Sequence, residues 1–115
     1  MNRTINLTCF TSVIISVGLA VPASAETSVF GKRARIAAQA GSMACMVDIG
    51  RVTEDQGYKL LNQNIRKANL ADVAGWLMSP KGTYAIEIVR SHMNSTCTGI
   101  SDQKALMKTL APLVQ

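Results

Sequence analysis

Residues 28–50 read SVFGKRARIAAQAGSMACMVDIG, and the fold turns on how that stretch is interpreted. It is rich in Ala and Met, lacks Pro and ends on Gly50, which predicts a helix over Ser28–Ile49. Val29, Ile36, Ala40, Met43 and Val47 share one face at heptad-like spacing. Ala34, Ala38, Gly41, Cys45 and Ile49 share a nearly opposite one. Arg35 and Gln39 leave only a narrow polar stripe between them. A helix apolar on two sides is packed by neighbours on both, so this one should be central. Its small-residue face, with Gly41 and Ser42 near Cys45, admits another helix closely and puts Cys45 within reach of a late element.

Downstream, Thr53-Glu54-Asp55-Gln56 matches a capping box. The helix after it is expected to bury Tyr58, Leu61, Ile65 and Ala68. Asn69 is read as the cap of a short helix through Met78, with Leu70, Val73, Ala74 and Leu77 inward and Trp76 at the edge. Ser79-Pro80 supplies an N-cap with Pro at the first helical position. From there to Asn94 the reading is helix, with Ile86, Val89, Met93 and then Cys97 in line. A strand over Thr83–Val89 is a rival, because Tyr84, Ile86 and Ile88 alternate. Ser101 is read as the cap of a last helix over Asp102–Ala111, carrying Leu106, Met107 and Leu110 and ended by Pro112. The expected fold is all-α: a small irregular or orthogonal bundle of four to five short helices.

Upstream, residues 1–25 have the layout of a secretory signal. Arg3 is followed by an apolar run to Val21, a helix-breaking Pro22 and the small residues Ala23-Ser24-Ala25. The run from Ile5 to Val21 is 17 residues and is diluted by Asn6, Thr and Ser, whereas a membrane span needs about 20. Cleavage after Ala25 is therefore expected, leaving one domain over residues 26–115 with no transmembrane segment, periplasmic or secreted. Cys9 precedes the apolar run and lacks the small residue expected before a lipidated Cys, so it should leave with the leader.

Of the 115 residues, 48% are hydrophobic and 17% charged. That excludes a disordered chain. The net charge is +5, yet aromatics are only 4%. A basic stripe interleaved with aromatics is missing, and with export this argues against nucleic acid as a partner. After cleavage Cys45 and Cys97 remain, and an even count outside the cytoplasm argues for a disulfide. Two free thiols, an intermolecular bridge and soft-metal ligation are the alternatives.

Several constellations could carry chemistry. Met43, Cys45 and Met46, with His92, Met93 and Cys97 later, are ligand types suited to copper(I). Met43 and Cys45, however, project about 160 degrees apart on one helix, and Met commonly fills core gaps. Met43, Met46 and His92 thus form a metal or redox alternative. A haem reading of His92 lacks a Cys-x-x-Cys-His motif. Adjacent Ser91 and His92 project about 100 degrees apart, a poor nucleophile–base pair, and Asp48-x-Gly50 is too short for a calcium loop. No enzyme activity and no cofactor are expected. Lys32, Arg33 and Arg35 form the densest basic group, at a helix start where positive charge opposes the macrodipole. They are the candidate binding surface, for an anionic envelope component, with peripheral membrane contact, or for another protein. Asn94-Ser95-Thr96 is a glycosylation sequon, relevant in a eukaryotic source.

The pattern Ala37-x-x-Ala40-Gly41-x-x-x-Cys45-x-x-Asp48, followed by Gly50-Arg51-x-Thr53 and a late second Cys, resembles small exported cyanobacterial proteins of unknown function. The resemblance spans about 25 residues and implies a helical fold outside the cytoplasm, with no activity to transfer. In layout alone the chain is also similar to periplasmic acid-stress chaperones. The functional expectation is an exported, non-catalytic binding protein, with a soft-metal or redox protein and a stress chaperone as alternatives.

Overall fold

The computed structural model describes residues 28–115; the leader expected at residues 1–25, and Cys9 with it, lies outside them. The described chain is all-α, as its patterning predicts. It contains α1 (Val29–Asp48), α2 (Glu54–Lys67), a 3₁₀ helix η1 (Ala71–Met78), α3 (Pro80–Ser91) and α4 (Gln103–Val114). No strand is present among the described residues, and Thr83–Val89 is helical. None of the described helices is long and apolar enough to cross a membrane.

Helix α1 is the axis of the bundle and enters all three apolar clusters. Ala34, Ala37 and Ala38 pack with Ala85 and Val89 of α3 and Leu106, Leu110 and Val114 of α4. Ile36 and Ala40 pack with Ile65, Leu70, Val73 and Leu77. Met43, Cys45 and Met46 pack with Leu60 and Cys97. Small residues make this possible: a Cβ on Gly41 would lie 2.5 Å from Val89 Cβ, so α1 and α3 meet where α1 has no side chain. The two apolar faces read from residues 28–50 are both covered, except at the ends, where Val29 and Ile49 are exposed.

Local signals set most boundaries. Ser28 accepts from Gly31 N–H, and the Thr53–Gln56 capping box is complete. Ser79 accepts from Gly82 N–H with Pro80 in the first turn. Helix α1 ends in a Schellman motif, with Gly50 at φ 76, its N–H on Val47 and that of Arg51 on Met46.

Five details depart from the sequence reading. Asn69 ends α2 instead of capping the next helix: it sits at φ 58, its N–H bonds Arg66, and Leu70 N–H bonds Ile65. This is a second Schellman motif, with Asn in the left-handed position and the Leu70–Ile65 apolar contact that goes with it. Along α2 the buried line is Gly57, Leu60, Asn64 and Ile65, while Tyr58 is 67% exposed. Gly57 permits a close approach to Val47 and Met43, which turns the contact face toward it and Tyr58 outward.

Helix α3 stops at Ser91, three residues before the expected Asn94, with His92 as C-cap. Met93 bridges Ile100, and Asn94 N–H bonds Gly99 O, closing a tight loop that presents Cys97. The cap of α4 is Asp102, accepting from Ala105 N–H, and not Ser101. Pro112 lies inside α4. A proline in the last turn forfeits only one helical hydrogen bond, and the buried Val114 and its contact with Arg33 hold that turn on the bundle.

Cys45 and Cys97 form a disulfide, with Cα atoms 5.8 Å apart. It ties the middle of α1 to the loop between α3 and α4.

Candidate functional site

An open groove of about 560 Å³ is lined by parts of three helices. Its floor is the later half of α1: Ala40, Met43, Ala44 and Val47. One wall is the first two turns of α2, with Gly57, Tyr58 and Leu61; Ile86 of α3 closes the other side. The origin of the groove is local. Segment η1 covers α1 around Ile36 and Ala40. Beyond Ala40 the same face of α1 carries the buried Met43 and the half-buried Ala44 and Val47, with α2 on one side and Ile86 of α3 on the other. At Gly57 a Cβ would lie 3.1 Å from Val47 and 3.2 Å from Met43, so α2 rides directly on the floor.

The rim is acidic. Glu54 and Asp55 line the groove from the first turn of α2, where negative charge also complements the helix dipole. Asp55 pairs with Lys59 at 3.3 Å, both side chains well exposed. The Glu54 carboxylate has no partner among the described residues. The other described carboxylates are engaged. Asp48 and Glu87 both hold Arg90, whose guanidinium is pushed above its ordinary value, first by the hydrogen bond with Asp48. Asp72 binds Lys32 at 3.0 Å, and that hydrogen bond holds its carboxyl below the usual 3.8. Asp102 caps α4.

The basic group read from sequence is divided among different tasks. Lys32 pairs with Asp72 of η1. Arg33 Nη1 donates to the carbonyls of Val114 and Gln115 at 3.3 and 3.2 Å, and its guanidinium lies 5.7 Å from the Trp76 ring centroid. It neutralises the C-terminal end of α4. Arg35, half-buried, has no side-chain partner among the described residues. The three therefore do not form one free cationic surface.

Of the soft ligands, Met43, Met46 and Met93 gather around the Cys45–Cys97 disulfide. His92 is apart from them: its Nδ1 lies 2.8 Å from Ile88 O and 3.3 Å from Ser91 Oγ at the end of α3. With the two cysteine sulfurs bonded to each other, what surrounds the methionines is an apolar cluster. The described residues contain no group of three or more His, Cys, Asp or Glu placed to hold a metal ion.

The sequence reading missed the groove because it assigned Tyr58 to the core. The available signal was Gly57 one residue earlier: a glycine inside an amphipathic helix marks close backbone approach, and such an approach rotates its large neighbours off the contact face.

No protein-family model, curated protein or solved structure matches the chain.

Proposed function

We propose that this chain is an exported, non-catalytic helical module that binds a segment of another protein in the groove between α1, α2 and α3. The observation that carries the reading is the groove itself: an open trough of about 560 Å³ with an apolar floor and an exposed tyrosine on its wall. Ligand sites concentrate in apolar concavities with a few placed polar groups. The basic group at Lys32, Arg33 and Arg35 supports contact with an anionic envelope surface less well, since Lys32 and Arg33 are engaged within the chain. Export rests on the leader read at residues 1–25 and agrees with the disulfide.

The test uses the disulfide-bonded exported chain, labelled for NMR and titrated with peptides selected from a displayed library. Binders are expected to shift Ala44, Val47, Leu61 and Ile86. Tyr58→Ala should weaken them about tenfold, as loss of an aromatic anchor does, while leaving the melting temperature nearly unchanged because Tyr58 is exposed. Selected binders that shift other surfaces and ignore Tyr58→Ala would overturn the reading.

A further inference from the structure

The rim of the groove has a chemistry distinct from its floor. Glu54 and Tyr58 are four residues apart on α2, and Asp55 and Tyr58 three apart, spacings that put side chains on one side of a helix. All three line the groove and all three are exposed. Two carboxylates beside an aromatic ring are what a Lys or Arg head group binds, by charge and by the ring face. Arg90, Lys32 and the α4 cap occupy the other described carboxylates. The Glu54 carboxylate is unpartnered there, and Asp55 has only an exposed pair with Lys59. The chain as a whole is cationic, net +5. A cationic partner is thus repelled generally and attracted at this rim, which orients it as it docks.

Resting on the groove reading above, we infer that the occupant is an amphipathic helix of another protein, bearing a Lys or Arg beside its apolar anchors, and that Glu54 is the residue that selects for it. The described residues offer no sheet edge to extend an incoming strand. A trough walled by two helices suits a helix laid along it, with apolar residues at i, i+3 and i+4 on Ala44, Val47, Leu61 and Ile86. The basic residue of that helix lies over Glu54 and the Tyr58 ring.

A displayed library of amphipathic helices, selected on the disulfide-bonded chain, provides the probe. The enriched sequences should carry Lys or Arg at a constant offset from the apolar anchors. Replacing that residue by Gln in the best binder should weaken binding about three- to tenfold at low salt, and the difference should shrink as salt rises. Glu54→Gln should remove the difference without further loss, and Glu54→Lys should favour the same peptide with Glu at that offset. Binders that shift the groove residues without a basic preference, or with one that survives Glu54→Gln, overturn this inference and leave the groove function standing. Binders that map elsewhere overturn both. Self-association that shifts the groove residues with no peptide present assigns the groove to a second copy and overturns the proposed partner.

Discussion

At the scale of single residues, the fold depends on places where a side chain is missing. A Cβ on Gly82 would fall inside the Trp76 carbonyl oxygen and against Leu77 Cα, so backbone must move to admit it. On Gly41 it would meet Val89 Cβ and Cγ1. Both Gly82→Ala and Gly41→Ala are expected to destabilise by about 1–3 kcal/mol in urea melts, despite the better helix propensity of Ala. Gly82→Ala should be the worse of the two, because a backbone obstacle yields less than a side chain. At Gly75 nothing lies within 4 Å, and Gly75→Ala should be neutral or stabilising by up to about 1 kcal/mol. A profile in which all three glycines respond alike would contradict the packing described. None of these distances can be read from a glycine's neighbours in the chain. Gly57 is the same case seen from the functional side: its approach to α1 turned Tyr58 from an expected core residue into part of the groove wall.

At the scale of the elements, caps and stops were largely legible. The Thr53 capping box, the Ser79-Pro80 start and the Gly50 stop each act within a few residues of chain and each is present. The cap of α4 lies one residue later than its sequence reading, at Asp102 and not Ser101. Ser101 and Asp102 are both good caps by type, and Asp102 takes the role, its carboxylate 3.0 Å from Ala105 N–H. Asp102→Ala should therefore cost about 1 kcal/mol, whereas Ser101→Ala should stay within about 0.5 kcal/mol, both read by chemical denaturation. Equal losses would mean that the cap is shared. Asn69, read as the cap of the next helix, instead ends α2. Asn is favoured both before a helix and in the left-handed position after one, and the apolar contact of Leu70 with Ile65 selects the second role.

At the scale of the whole molecule, the disulfide joins residues 52 apart in sequence and unites the axial helix with the loop before α4. Cross-linking a loop of this size stabilises by about 4 kcal/mol in the chain-entropy model, a large share of the roughly 5–15 kcal/mol typical of a domain. The Cys45→Ala/Cys97→Ala double variant should lose about 2–4 kcal/mol in denaturant melts. A loss below about 1 kcal/mol would show that the three apolar clusters hold the bundle without it. The same staple supports the groove, because Cys45 lies on α1 between floor residues Ala44 and Val47.

The amino-acid sequence by itself determined the helical class, the central position of α1 and the caps at Thr53 and Ser79, and it named Cys45–Cys97 as one of several fates of those cysteines, which the packed structure then selects. The first three follow from periodicity and short-range hydrogen bonding, which operate within one or two turns. Tertiary structure alone decided which side of α2 faces inward, that Lys32 and Arg33 bind within the chain, that α3 ends at Ser91, and that a trough remains open beside Glu54 and Tyr58. Each of those outcomes depends on how closely two helices distant in sequence can approach. That distance is set by the absence of side chains at Gly41 and Gly57 and by what η1 leaves uncovered, and such quantities exist only once the helices are packed.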